Sequence, residues 1–566
     1  MISVNKNRRH NRLAFRGGLL FMSMLLLSGC AEPSRKPRQD HGSVQEISSA
    51  AESSEGKTEP VTENSLPESS RAEEPVIPQN NCLPVLSLQT EKTGADALKF
   101  VTDPVAGHVS GAIASWTPGY VMPPEPYYET CTVSLTGTDG SELMKGEKAE
   151  VKVRGNWTTS YDKKPFRLKF AEKQNLLNLN GGAEMKNWVL LAEFKDNSML
   201  RNKTALEIAR GLLEPDGLYA ADAAFVEVYI NQEYWGVYLL TEQQQVNRNR
   251  IDIAAPKKDE TDPMTGYFLE FDGNYQNEDP LHQFYVTYAD NAPLKPYDGK
   301  GGSGKTVTCQ PESSYDRKLK IGFTIKSDIR SQEQHDFIAS YVENVYRIMY
   351  EAAYNHQAYQ FSQDYSEIAP AKNLTPQQAV EQVVDVQSLA DLYILSDLTC
   401  DADLYWSSFF MDADFGEGGS KKLTFEAPWD FDSALGIKRR CIDGTGFYAG
   451  NSMPDVNDYT YETINPWLAV LSYEDWFQEL IRKKWTAAYD AGIFTSACDA
   501  VQSDTQKYAD AFARNTKKWG SSTSDEGIAR ELAPEAARCR TQPDAAAQLR
   551  TWLESRIQFL NEQWHL

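Results

Sequence analysis

The sequence predicts an α+β protein with a strand-rich first part and a helical second part, and three observations carry that reading. Apolar side chains alternate through residues 145–155 and 165–170, the period of a half-buried strand. Two β-branched and aromatic runs, 224–230 and 235–240, flank the short polar stretch 231–234, which is the pattern of a hairpin. From about residue 463 onward the pattern becomes helical, closing with Leu549, Trp552, Leu553, Ile557 and Leu560 on one stripe.

In chain order, the first 30 residues read as a lipoprotein signal peptide. Lys6, Arg8, Arg9, Arg12 and Arg16 precede an apolar run at 19–27 that is short for a bilayer span, and the run ends in Leu27-Ser28-Gly29-Cys30. This resembles a lipobox. Cys30 is therefore expected to carry lipid, making the mature chain a membrane-anchored, extracytoplasmic lipoprotein at the cell surface. Residues 31–81 are rich in Ser, Glu, Pro, Lys and Gln without hydrophobic periodicity, so they predict a disordered tether.

The globular part, 82–566, opens with turn-rich strands. A helix is expected near 200–211, with Asn197 or Ser198 as N-cap. The 224–240 hairpin follows, then a strand at 266–271 and a polar insert at about 273–320. Phe337, Tyr341, Val345 and Met349 mark one face of a helix over 333–350.

Composition excludes some functions. A formal charge of −23 argues against a nucleic-acid partner. Seven cysteines follow Cys30 (Cys82, Cys131, Cys309, Cys400, Cys441, Cys498, Cys539) with no CxxC pair, so a structural zinc site is not expected and disulfide pairing stays open. Residues 299–306 match the Walker A letters, but no apolar strand precedes them and no helix pattern follows. They read as a glycine-rich surface loop. Asp414-Phe415-Gly416 spells a kinase metal motif inside what looks like a hairpin turn, 412–421. The same turn lacks a calcium loop's final Glu, since Leu423 stands there.

The most informative stretch is that hairpin. Strand-like runs at 406–411 and 422–429 are bracketed by Asp403 before and by Asp430 and Asp432 after. Carboxylates at both ends of one hairpin can converge on a point. In phosphoryl transfer one carboxylate orients the attacking hydroxyl and another holds the divalent metal.

Several motifs then occur in order: Arg154-Gly155-Asn156-Trp157, Lys163-Lys164-Pro165-Phe166, the segment 188–202, Gly236-Val237-Tyr238-Leu239-Leu240-Thr241-Glu242, Gly266-Tyr267-Phe268-Leu269-Glu270 and Trp429-Asp430-Phe431-Asp432. Together, over about 82–481, they resemble the CotH family of spore-coat-protein-H-type atypical kinases. The resemblance implies a two-lobe, protein-kinase-like fold over 82–566 with a helical C-terminal extension. It implies ATP and Mg²⁺ or Mn²⁺ as cofactors, with Ser or Thr of extracytoplasmic or coat proteins as substrate. Asp403 then matches the catalytic Asp and Asp430 the metal-binding Asp, with Asp432 as neighbour. Lys164 is the candidate for an ATP-phosphate contact, aided by Arg154 and partnered by Glu207 or Glu242. Ser407 or Ser408 stands where many members carry an Asn metal ligand, which leaves Ser408 as a weaker ligand. The alternative is a non-catalytic surface protein that uses the same scaffold for binding or for envelope or spore-coat assembly. A carboxylate-pair glycosidase is set aside, because only scattered aromatics would form its sugar platform.

Overall fold

Alternation along the first strands closes them into a barrel. In this computed structural model the described residues are 82–302, 304–309, 321–438, 443–454 and 462–566, and all of them belong to one compact unit. The signal peptide, Cys30 and the tether lie outside the described residues, as does Cys441. The barrel strands are β1 (Val85–Thr90), β2 (Glu129–Thr136), β3 (Glu142–Val153), β4 (Phe166–Gln174), β5 (Met185–Leu191), β6 (Ala223–Ile230) and β7 (Glu233–Glu242). Their order is β1-β2-β3-β4-β5-β7-β6, closed by the parallel pairing of β1 with β6. Closure leaves no free sheet edge.

Val151, Val153, Phe166, Leu168, Trp188, Leu190, Tyr238 and Leu240 fill the barrel interior. The alternate residues Val189, Val237 and Leu239 point outward into a second core. β5 and β7 are thus buried on both faces, which is why 237–240 reads as an unbroken apolar run. The turn between β6 and β7 is two residues, Asn231 and Gln232, both with positive φ (51° and 70°). Such a turn matches the twist of the strands it joins.

The second core surrounds a second sheet. Its strands are β8 (Gly266–Asp272), β9 (Gln283–Phe284) and β10 (Gly322–Ile325), then, after a small ribbon of β11 (Tyr359–Phe361) and β12 (Ile368–Pro370), β13 (Phe409–Asp414) and β14 (Leu423–Thr424). The order is β14-β13-β8-β10-β9. The acidic hairpin therefore exists, with Asp412 opposite Thr424, but its bounds differ from expectation. β13 runs on to Asp414, because its main partner is β8 along the whole of 409–414. β14 stops at Thr424. Beyond it the amides turn elsewhere, Phe425 to Ser388 Oγ at 2.9 Å and Ala427 to the Tyr219 carbonyl at 2.9 Å, and Ala427 takes a positive φ of 59°.

The motif look-alikes are turn chemistry. Asp414 Oδ1 accepts from the Gly416 amide at 2.9 Å, an Asx turn. Asp298 Oδ1 accepts from the amides of Lys300 and Gly302 at 2.8 and 3.1 Å. The Walker-like run lies between Leu294 and Val307, which bridge as isolated β partners. The described residues directly after it, 307–309, form no helix.

The longer helices are α1 (Gly107–Trp116), α2 (Arg201–Leu213), α3 (Gln332–Asn355), α4 (Pro376–Val383), α5 (Val386–Thr399), α6 (Asp475–Asp490), α7 (Ile493–Lys507), α8 (Ala509–Trp519) and α9 (Gln542–Trp564). α3 buries Tyr341, Val345 and Met349 as its periodicity predicts. α5 is buried all round from Ser388 to Thr399, placing it in the centre of the helical part. The start of α2 corrects the N-cap expectation. Neither Asn197 nor Ser198 caps it; the Asp196 carboxylate accepts from the amides of Ser198, Leu200 and Arg201 at 2.9, 3.1 and 3.0 Å. The tail helices return to the barrel: Arg514 of α8 pairs with buried Glu227 of β6 at 2.8 Å, and Asn515 accepts from the Val237 amide at 3.1 Å. The chain is α+β. Cys82, Cys131, Cys309, Cys400, Cys498 and Cys539 are free thiols.

Candidate functional site

Three loops meet beside the open end of β3. The first joins β5 to α2 and carries Glu193, Lys195 and Asp196. The second follows α5, where Cys400 takes a left-handed conformation (φ 48°) and turns the chain into Asp401 and Asp403. The third follows β14 and carries Asp430 and Asp432. Its backbone is pinned to α5 by the Leu435 amide on the Thr399 carbonyl at 2.7 Å. Asp430 is itself left-handed (φ 67°, ψ 57°), a conformation that costs energy for a non-glycine residue and clusters at functional sites.

The contacts are specific. Lys195 Nζ reaches Asp432 Oδ1 at 3.0 Å and Ser433 Oγ at 2.8 Å. The Asp403 amide donates to Asp401 Oδ1 at 3.0 Å. Asn202 of α2 donates to both carboxylate oxygens of buried Glu193 at 3.0 and 3.2 Å. Its own carbonyl oxygen accepts from the Phe431 amide at 2.9 Å, so one carboxamide fixes the peptide between the two site aspartates. Arg154, at the end of β3, lies with its guanidinium 5.7 Å from the Trp429 ring centre.

Asp401, Asp403, Asp430 and Asp432 thus gather around Lys195, Arg154 and Lys438, and their protonation follows. Burial pushes the Asp430 carboxyl up to about 8, the charges of Asp432 and Asp403 add to this, and Lys195 and Arg154 oppose it. Burial also drives Asp401 well up, reinforced by Asp403, Asp430 and Asp432. Asp432 goes the other way. Burial works against its charge, but the Lys195 ammonium and its hydrogen bond outweigh that and bring it below the usual range. Lys195 is the mirror image: burial opposes its charge, and Asp432, Tyr161 and Asp403 hold its pKa well above the ordinary lysine value. The shifts of Lys195 and Asp432 favour an ionised pair, while burial and the neighbouring carboxylates favour the protonated form of Asp430.

Of the residues expected from the sequence, Asp403, Asp430, Asp432 and Arg154 come together. Lys164 does not join them. Its Nζ donates to the carbonyls of Pro104 and Thr159 at 2.7 and 2.6 Å, and burial pushes its pKa down to about 8. Neither proposed glutamate partner meets it. Glu242 is in a fully buried pair with Arg250 at 3.0 Å, and Glu207 pairs with Lys203 within α2. The strand that starts at Phe166 points Lys164 toward backbone oxygens, which was not visible in the Lys-Lys dipeptide. Ser408, at a positive φ of 61°, gives its amide to Glu270 Oε1 at 3.0 Å. Lys195, Glu193, Asn202 and Asp401 were missed by sequence reasoning. The signal for the first three was the segment 188–202, where Lys195 directly precedes the helix-capping Asp196.

The family described as CotH kinase protein matches residues 151–560. This chain belongs to the CotH kinase protein family. No curated protein matches it. The CotH match takes in Arg154, Lys195, Asp403, Asp430 and Asp432. It also runs through the tail helices into α9, so what looked like an extension beyond residue 481 is part of the CotH match.

A divalent cation suits this donor set. Among the described residues, Lys195, Arg154 and Lys438 are the cations acting on these carboxylates, and no basic side chain lies within ion-pair distance of Asp430. Among the described residues no three His, Cys, Asp or Glu side chains form a ready-made metal cage. Magnesium is commonly held by one or two carboxylates with phosphate oxygens and water completing its shell, and Asp430 and Asp432 would supply those carboxylates.

Proposed function

We propose that this CotH protein is a metal-dependent phosphotransferase that takes the γ-phosphoryl group of ATP to a Ser or Thr hydroxyl of a protein substrate. The observation that carries the reading is the Lys195–Asp432 pair at 3.0 Å, with Asp430 on the same loop in a left-handed conformation and Asp403 facing it. The barrel and the helical remainder would then act as the two lobes of a kinase-like fold. Asp430 and Asp432 would hold Mg²⁺ or Mn²⁺, and Lys195 and Arg154 would meet phosphate oxygens in the place first considered for Lys164. Asp403, half-buried on its 3₁₀ turn and tied through its amide to Asp401, would hold the acceptor hydroxyl and its proton in line. When bound, the metal–nucleotide pair supplies the electrophilic phosphoryl group and neutralises its charge. The lipobox reading of Cys30 places this activity at the extracytoplasmic surface, where coat or envelope proteins would be the acceptors.

One observation favours a second reading, a non-catalytic binding or coat-assembly protein on the same scaffold. Ser407 and Ser408 offer hydroxyls where a carboxamide metal ligand is usual, and the Ser408 amide is turned onto Glu270 rather than into the carboxylate centre.

The deciding experiment is the thermal shift of the purified protein with ATP, with and without Mg²⁺ or Mn²⁺. Ligand bound only by the folded state raises the melting temperature with concentration. We expect a metal-dependent rise that Asp430→Asn abolishes. No rise with either metal would favour the binding-protein reading.

A further inference from the structure

The outer face of β3 and β4 carries a like-charge arrangement that the carboxylate centre does not explain. In the β3–β4 register Glu150 faces Lys169, an ordinary cross-strand ion pair at 3.1 Å. One rung on, Lys152 faces Arg167. Both are half-buried and both are cations. The next outward residue is Arg154, whose amide continues the ladder onto the Pro165 carbonyl at 3.0 Å. Like charges directly opposite on neighbouring strands destabilise a sheet. Here three cations stand in a row in a chain of formal charge −23. Among the described residues, no carboxylate lies within ion-pair distance of any of the three.

A second observation is independent of the charges. Among the described residues, buried Arg167 Nε has no acceptor, although the other side of the guanidinium reaches Asn187 Oδ1 at 3.1 Å. A buried, unsatisfied donor is costly and uncommon. Among the described residues, the Lys152 ammonium has only the Tyr128 ring, 4.9 Å away, which offers a π face but no charge. Burial lowers the Lys152 pKa, and Arg167 and Arg154 lower it further. An anion bound beside these three residues would account for both features.

We infer that Lys152, Arg154 and Arg167 form an oxyanion-binding subsite on the outer face of β3 and β4, beside the carboxylate centre. A phosphate or carboxylate oxygen bound there would accept from Arg167 Nε and neutralise the facing charges. The oxyanion has two possible sources, the phosphate tail of a nucleotide or an acidic side chain of an acceptor polypeptide. Arg154 belongs to both sites and links this one to Asp430.

The test uses the purified protein with a chelator and no divalent metal, titrated separately with tripolyphosphate and with an Asp/Glu-rich peptide. At least one anion should raise the melting temperature. Lys152→Gln should start at or above the wild-type melting temperature, because it removes a repulsion. In Lys152→Gln and in Arg167→Gln the affinity for the responding anion should fall about tenfold or more, as for a lost charge-assisted hydrogen bond. Lys148→Gln makes the same charge change on exposed β3 outside the row and should respond like the wild type. A response to tripolyphosphate identifies the nucleotide tail as the source, and a response to the peptide alone identifies the acceptor. The inference is overturned if neither anion binds the wild type at millimolar concentration. It is also overturned if both row variants keep the response, or if Lys148→Gln loses it equally. Since no metal is present, failure here leaves the metal-dependent reading of Asp430 standing.

Discussion

Asp430 concentrates the chemistry of this protein in one carboxyl group, and its burial gives a pH signature. Its folded value of about 8 lies above the ordinary 3.8, so between those limits the folded chain holds a proton that the unfolded chain has released. Stability from this group is full below about pH 4 and is lost as pH rises through about 8. Asp430→Asn has no charge to bury. In metal-free buffer its melting temperature should exceed the wild-type value by more at about pH 8.5 than at about pH 5. A difference that stays constant across that range would refute the protonated Asp430. Metal should act against the proton, since a ligating carboxylate must be ionised. At this scale the sequence was a partial guide. Asp430 was legible because apolar Trp429 and Phe431 flank it, and Asp403 because it precedes the same acidic hairpin. Lys195 and Asn202 were not, since a lysine before a helix and an asparagine within it look the same whether they face solvent or a carboxylate.

At the scale of elements, the site is held by how loops are tied to α2 and α5. Asn202 is the clearest tie, joining buried Glu193 to the Phe431 amide. Asn202→Ala leaves that carboxyl and that amide without partners. It should cost about 1–3 kcal/mol of stability. It should also raise the metal concentration needed for the ATP-dependent thermal shift about tenfold, the usual effect of losing an outer-shell support. Unchanged metal dependence with lowered stability would make Asn202 a structural residue alone. The acidic hairpin shows the limit of reading elements one at a time. Its two strands were visible as β-prone runs, but their ends were set by partners distant in sequence. β8 extends β13 to Asp414, and Ser388 and Tyr219 take the amides that would have prolonged β14.

Across the whole molecule, the last helix is bound into the centre. Arg556 of α9 and Asp397 of α5 are both fully buried and paired. Arg556 also donates to the carbonyls of Asp397 at 3.0 Å and Gly444 at 3.0 Å, and Asp397 accepts from the amides of Tyr448 and Ala449, each at 3.1 Å. Breaking such a pair by removing one partner leaves a buried charge uncompensated. Arg556→Ala should therefore cost about 3–5 kcal/mol in denaturant unfolding. A loss below about 1 kcal/mol would mean that α9 is not needed to hold α5, and with it the turn carrying Asp403. That integration is why the tail cannot be treated as an appendage, although its helical periodicity alone gave no hint of its docking partner.

By itself the sequence determined the β6–β7 hairpin, the amphipathic faces of α3 and α9, and the acidic residues flanking β13 and β14. These are local properties, fixed by side-chain spacing and backbone preference within a few residues. The sequence placed the β6–β7 turn at 231–234, two residues longer than the turn formed, and did not reveal α1. Only the tertiary structure decided which lysine meets an aspartate, that β1 and β6 close the barrel, and that Lys152 and Arg167 face one another. Those outcomes depend on burial and on registers between segments far apart in the chain. The energy of a charge depends on what is packed beside it, and that neighbour is set by the fold.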